Sequence, residues 1–253
     1  MTNTVITTVN NGVAEIVLSR PQRLNAINDE LLVDFTAALR DTNANDEVGV
    51  IILSGAGKAF CAGDDLKESH TQSMSEDEIR QYLEDIQEIT RLIMGSDKVV
   101  IGAVHGWAAG GGFEWLLNCD FAILAENTRC FFPELSLGIF VTGGISSILP
   151  HLVGLPKARE LILLGEKIDA QTAYELGIAW KVVAEAALLD EARVLAARLM
   201  AVPHKARGRA KQALNQSPFM SMEQAMALET TLTTEGFMDP DTAQRAAAAI
   251  NKS

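Results

Sequence analysis

Ala103-Val104-His105-Gly106-Trp107-Ala108-Ala109-Gly110-Gly111-Gly112-Phe113-Glu114 decides how this chain folds. An apolar strand pattern, Val99 to Val104, runs into three successive glycines and then at once into a helical pattern, Phe113-Glu114-Trp115-Leu116-Leu117. Glycines at such a junction let another backbone come close, because no Cβ stands in the way. The first helical turn leaves N–H groups without partners, and its dipole favours negative charge there. Gly110, Gly111 and Gly112 therefore mark a place where an anion, or a carbonyl oxygen becoming one, can be held. Glu114 follows on the same turn and supplies a candidate acid or base. Two plainer readings compete: the glycines can serve strand–helix packing alone, and the glutamate can serve as a dipole partner.

A second segment asks for the same chemistry. Val48 to Leu53 reads as a buried strand; Ser54-Gly55-Ala56-Gly57-Lys58 turns the chain, and Ala59-Phe60-Cys61-Ala62-Gly63-Asp64-Asp65-Leu66 leads into an expected helix start, with Asp65 as its cap. Phe-Cys-Ala-Gly-Asp-Asp-Leu followed downstream by His-Gly-Trp-Ala-Ala-Gly-Gly-Gly-Phe-Glu resembles the enoyl-CoA hydratase/isomerase (crotonase) family. The likeness extends to Arg20-Pro21-Gln22-Arg23-Leu24-Asn25-Ala26-Ile27, to Phe132-Pro133-Glu134-Leu135-Ser136-Leu137-Gly138, and to the stretches 163–173 and 176–183. The resemblance implies that two backbone N–H groups, those of Asp64 and Gly111, bind the thioester oxygen of an acyl-CoA. It implies Glu114 and Glu134 as the catalytic carboxylates. CoA contacts are expected from Arg23, Asn25, Ala26, Ala62, Gly63, Leu66 and Gly110, with no metal and no cofactor beyond the CoA of the substrate.

The fold expected from the resemblance is α/β, a crotonase-like spiral of repeated ββα units over residues 1–195. A helical C-terminal region, 196–253, is expected to assemble the chain into a trimer or a dimer of trimers. The residues themselves agree. Thr4 to Val9 and Val13 to Leu18 alternate around Asn11-Gly12, a hairpin signal. Asn28 or Asp29 can cap a helix over 30–42, and Ser75 with Glu78 can open another reaching Met94. Strands are expected at 48–53, 98–104 and 121–125, with a glycine-headed helix at 111–118; such alternation argues for crossover connections. Beyond about 185 only helical patterns remain, at 186–202, 204–215, 221–236 and 240–251.

Composition bounds the rest. The 253 residues are 48% hydrophobic and carry a net charge of −12, which argues against a nucleic-acid partner. No apolar run reaches the ~18 residues of a membrane span, and no cationic apolar leader is present, so a cytoplasmic protein is expected. The three cysteines, Cys61, Cys119 and Cys130, read as reduced thiols, with Cys61 a packing residue. His105 reads as a satisfied turn histidine. Trp107 and Trp115 read either as walls of an acyl pocket or as core, and residues 66–78 as a mobile loop over the acyl site.

The parts belong together chemically. A thioester oxygen gains negative charge when its α-carbon loses a proton or its β-carbon is attacked by water. Two fixed N–H donors stabilise that state more than the ground state, each contributing ~3–4 kcal/mol. Two carboxylates can hold a water and move its proton. Hydration of a 2-enoyl-CoA is the expected reaction and double-bond isomerisation through Glu134 the alternative. Ile139-Phe140-Val141-Thr142-Gly143-Gly144 replaces the Pro-Gly-Ala-Gly-Gly type of turn common in hydratases and sets an apolar wall beside Glu134. The tail also lacks the usual Lys-Arg-x-Pro ending. Two other readings stand: a catalytically weak acyl-CoA binder, and a scaffold that binds no CoA and assembles through its tail.

Overall fold

A computed structural model describes residues 3–68 and 71–250. β1 (Val5–Asn10) and β2 (Val13–Leu18) form the expected hairpin, Val5 opposite Leu18 and Asn10 opposite Val13. Asn11 and Gly12 have φ of 50° and 76°, the signs a two-residue type I′ turn requires. α1 (Asp29–Ala44) starts on Asn28, whose side chain accepts the Leu31 N–H. After β3 (Val50–Gly55), α2 (Glu76–Met94) opens on a complete capping box between Ser75 and Glu78. β4 (Val99–Val104), β5 (Trp107–Ala109) and α3 (Gly111–Asn118) follow, then β6 (Phe121–Ala125) and β7 (Arg129–Phe131). α4 (Ile145–Val153), α5 (Leu155–Leu164), β8 (Ile168–Asp169), α6 (Ala170–Glu175) and β9 (Lys181–Val183) complete the mixed part. α7 (Leu188–Met200), α8 (His204–Gln216), α9 (Met222–Met238) and α10 (Pro240–Ile250) end it.

The main sheet has the order β1-β2-β3-β4-β6-β9 and is parallel from β2 onward. Its middle strands are buried on both faces, which is why β3 and β4 read as continuous apolar runs rather than alternating ones. Ile51, Leu53, Val100 and Val104 join the core beneath α1 and α2, with Leu31, Phe35, Ile86 and Ile89. Val50, Ile52, Ile101 and Ile123 face the other way, onto Leu188, Ala192, Leu195 and Ala196 of α7. The expected division at 195/196 thus falls inside a helix that packs on the main sheet.

A second sheet, β5-β7-β8, runs beside the first, and a lone bridge from Cys61 to Ala108 extends it. Each circuit of the chain lays a strand in the large sheet, a shorter one or a bridge in the small sheet, and then a helix. This is the spiral of ββα units. Past α7 the described residues form only helices and the turns that join them. Lys211 of α8 anchors this part: its buried Nζ donates to the carbonyls of Ile93 (2.6 Å) and Lys98 (2.8 Å) and lies 2.8 Å from Asp120 Oδ2. No residue of α9 is buried, and Met222, Met226, Phe237 and Met238 are exposed. Among the described residues, no helix is long and apolar enough to cross a membrane.

The structure corrects the helix start expected at Asp65. Residues 66–68 form only a turn, and Asp65 caps no helix. Its side chain instead receives the Lys67 N–H and is paired with Arg20 (3.2 Å) and Arg23 (3.4 Å). Of the loop expected over 66–78, Thr71–Ser73 form a 3-10 turn and Glu76 begins α2; Ser69 and His70 lie outside the described residues.

Candidate active site

The two glycine segments meet backbone to backbone. A Cβ on Gly63 would lie 2.9 Å from the Ala109 carbonyl oxygen, and one on Gly110 would lie 2.6 Å from Glu134 Oε1. Both residues also have positive φ, 82° and 50°, so side chains are excluded twice over at this junction. Ile27 stitches the first segment in place: its N–H donates to Gly63 O and its carbonyl accepts the Asp65 N–H, both at 2.8 Å. Those bonds alternate along the bridge between Ile27 and Asp64, turning the Asp64 N–H to the opposite side. On the second segment, the Gly110 carbonyl accepts the N–H groups of Phe113 and Glu114 at 2.8 and 3.0 Å, closing the first turn of α3 and leaving Gly111 at its head. Among the described residues, neither the Asp64 nor the Gly111 N–H is engaged by an acceptor.

The two glutamates differ in their hydrogen-bond partners. Glu114 is 1% exposed. Its Oε1 accepts the Thr142 N–H at 2.9 Å, and its Oε2 accepts the Thr142 hydroxyl at 3.1 Å and the Gly143 N–H at 2.6 Å. An ionised carboxylate has about four acceptor positions, so one remains, on Oε1. Burial raises its pKa; the three donors, which favour the charged form, offset part of that rise. Glu134 opens the 3-10 turn Glu134–Leu137 and is 8% exposed. Its Oε2 is buried and has no hydrogen-bond partner among the described residues. Burial, with smaller contributions from the charges of Glu114 and Asp64, pushes its carboxyl up to about 7.

Of the remaining expected residues, Arg23, Asn25 and Ala26 lie on the loop after β2, and Ala62, Gly63 and Leu66 on the segment after β3. Asn25 is fully buried and acts as a strut: its Oδ1 accepts the Arg20 N–H, and its Nδ2 donates to the carbonyls of Ala56 (2.9 Å) and Ala59 (2.8 Å). Leu24 and Asn25 adopt φ of 52° and 54°, which bends the loop so that Ala26 and Ile27 reach the glycine segment. Ala62 donates to Leu24 O, while Leu66 is exposed at the mouth. Arg23 pairs with Asp65 and, at 3.1 Å, with Glu68. Cys61 is a packing residue, its thiol pushed by burial up to about 12. His105 is satisfied, its Nε2 2.9 Å from the Gly57 carbonyl. Trp115 packs edge-on to Phe35 in the core, and Trp107 packs on Phe131 in the small sheet. The apolar wall is divided: Val141 is buried and Phe140 is exposed. Among the described residues, no cluster of His, Cys, Asp and Glu could hold a metal ion.

Sequence reasoning missed Thr142 and Gly143 as the donors that hold Glu114. A Thr-Gly-Gly run after an apolar stretch was the only local sign of them.

The sequence model of the enoyl-CoA hydratase/isomerase family matches residues 8–248. Crotonyl-CoA hydratase of Syntrophomonas wolfei is 35% identical over 217 residues, spanning 85% of this chain and 83% of that protein. The 1,2-epoxyphenylacetyl-CoA isomerase of Escherichia coli is 32% identical over 89% of this chain and 87% of its own length. The crystal structure of an enoyl-CoA hydratase from Bacillus anthracis superposes with a TM-score of 0.92 at 31% identity, covering 98% of this chain and 96% of that one.

Proposed function

Because the chain belongs to the enoyl-CoA hydratase/isomerase family, we propose that it catalyses the reversible hydration of a 2-enoyl-CoA. The observation that carries this reading is the contrast between the two carboxyls. Glu114 is held rigidly with one acceptor position left, enough to take one hydrogen of a water. Glu134 has an unpartnered oxygen and a pKa near neutrality, suited to giving and taking a proton. The thioester oxygen lies between the N–H groups of Asp64 and Gly111. Water held on Glu114 adds to the β-carbon as Glu114 takes its proton, and Glu134 protonates the α-carbon, so the pair begins and ends the reaction holding one proton. CoA is the carrier, and proton transfer needs no further cofactor.

Double-bond isomerisation remains the second reading, favoured by buried Val141 beside Thr142. It needs Glu134 as a single base moving a proton between the α- and γ-carbons. Supplying crotonyl-CoA and a 3-enoyl-CoA separately, and following water addition and double-bond migration by mass and absorbance, decides between them. Hydration is wrong if migration proceeds and crotonyl-CoA gains no water.

The exposed apolar residues of α9, with none of that helix buried, support assembly into a trimer or a dimer of trimers through the helices beyond α7. Three free cysteines, two of them buried, suit a reducing cytoplasm.

A further inference from the structure

The two N–H groups placed on the thioester oxygen are not held alike. Gly111 heads α3, whose first turn closes on the Gly110 carbonyl. Asp64 heads no helix, since residues 66–68 form only a turn. Three backbone bonds tie its segment to the loop after β2. Ala62 N–H donates to Leu24 O at 3.1 Å, Ile27 N–H to Gly63 O at 2.8 Å, and Asp65 N–H to Ile27 O at 2.8 Å. Two of them end on Ile27 and the other lies upstream, so alone they leave residues 64–68 free to rock about one point.

Arg20, two residues past β2, braces the downstream side. Its side chain and that of Asp65 are both buried. Nη1 donates to the Ala26 carbonyl and to Asp65 Oδ2 (3.2 Å), and Nη2 donates to Glu68 Oε2 (2.9 Å). Ala26 precedes Ile27 and Asp65 follows Asp64, so one rigid group clasps both chains across the Ile27–Asp64 bridge. The arginine is itself fixed: its N–H donates to Asn25 Oδ1 at 2.8 Å, and its carbonyl accepts the N–H groups of Arg23 and Asn25. A planar guanidinium holds acceptors spread in this way in set directions, which a compact ammonium does not.

Resting on the oxygen's place in the hydratase reading, we propose that Arg20 is a positioning residue: by joining Ala26, Asp65 and Glu68 it sets the direction of the Asp64 N–H and so the strength of its bond to the thioester oxygen. A donor misplaced by about 1 Å costs up to about a hundredfold in rate. The loss falls on the state in which the oxygen is most charged, so it appears in kcat and spares the affinity supplied by CoA.

The test compares the wild type with Arg20→Lys and Arg20→Gln. Arg23 still lies 3.4 Å from Asp65 and 3.1 Å from Glu68 in both variants' starting geometry, so these carboxylates keep a counter-charge. Three readouts are taken: crotonyl-CoA hydration, calorimetric binding of butyryl-CoA and of its thioether S-butyl-CoA, and the carbonyl stretch of bound, isotope-labelled butyryl-CoA. The thioether shares the CoA and the chain and lacks only the carbonyl. The wild type is expected to prefer the thioester and to lower its carbonyl stretch. Both variants should lose about tenfold to a hundredfold in kcat with KM within about twofold, bind the two ligands nearly alike, and return the stretch towards its value in water. A merely structural role would lower the melting temperature and leave the ligand preference and the stretch unchanged. That result, or the failure of both variants to fold, overturns this inference alone. A wild type that does not distinguish thioester from thioether overturns the placement of the oxygen with it. One that prefers the thioester and hydrates nothing overturns the hydratase reading, while the ligand readouts still decide the role of Arg20.

Discussion

Glu134 offers a test that links stability to mechanism. Its carboxyl moves from an ordinary 4.5 to about 7 on folding, chiefly through burial. A carboxyl whose pKa is raised by folding holds its proton more tightly in the folded state. Its stabilising contribution is complete below about 4.5 and is lost as the pH rises through about 7. Integrated between pH 5 and pH 8, that loss is ~2.5 kcal/mol for one such group. The figure is an upper bound, because the site can relax and admit water. Glu134→Gln removes the titration and keeps the shape. The variant should therefore gain on the wild type between pH 5 and pH 8, by up to about 5–10 °C in Tm at 2–4 °C per kcal/mol for a chain of this size. Melting both proteins at both pH values, at one protein concentration, gives a double difference in which the other titrating groups cancel. The same group should appear in kinetics: if the glutamate pair must hold one proton, kcat/KM for hydration falls above about pH 7. The reverse dehydration must fall in parallel, since the overall reaction releases no proton and the ratio of the two is fixed by equilibrium. A Tm difference equal at both pH values, together with a flat alkaline limb, would refute the reasoning.

Glu114→Gln should lower hydration by ~100-fold while sparing acyl-CoA affinity; full turnover in this variant would remove Glu114 from water activation. Gly111→Pro deletes one donor at a helix position where proline is tolerated, and a Cβ there would stand 2.7 Å from the end of the Ile27 side chain, which must shift. It should cost ~3–4 kcal/mol of barrier, about 10²–10³ in kcat, and a variant that melts like the wild type yet keeps its rate would displace the oxygen from this amide. Lys211→Met leaves the partly buried Asp120 without its cation and should destabilise by ~3–5 kcal/mol in denaturant titration; a change under 1 kcal/mol would show that α8 is held otherwise. Light scattering at micromolar concentration should give three or six times the mass of one chain, and a monomer there would leave the exposed face of α9 without the proposed partner.

What could be read in advance was local. The turn Asn11-Gly12, the caps Asn28 and Ser75, and the apolar runs of β3 and β4 each carry their cause within a few residues, and each appears where expected. The short strands are different. β7, β8 and β9 have two or three residues each, too few for periodicity to register, and they exist because the spiral brings them alongside β5, β7 and β6 respectively. Asp65 was misread for a related reason. An aspartate before Leu66-Lys67-Glu68 has the local form of a helix cap, but Arg20 and Arg23 lie more than forty residues earlier in the chain, and their charges claim it first.

The glutamates show where reading by position stops. Glu114 could be picked out as a carboxylate just after a glycine turn and Glu134 only through the family resemblance, and nothing in their flanking residues distinguished their surroundings. The difference arises from one backbone segment. Thr142 and Gly143 turn two N–H groups and a hydroxyl onto Glu114 across 28 and 29 residues of chain, while Glu134, on the 3-10 turn before that segment, receives no such donor on Oε2. Donors that favour the charged form offset part of the rise that burial imposes on Glu114, whereas Glu134, buried without a partner on Oε2, is pushed up to about 7. The proposed assignment of water holder and proton carrier rests on the path of residues 139–144. This is the stretch where the chain departs from the turn usual in hydratases, and here it supplies a threonine hydroxyl as well as amides. Substituting Thr142 by alanine would leave the two N–H donors in place, so the hydroxyl's share in fixing Glu114 is separable from that of the backbone.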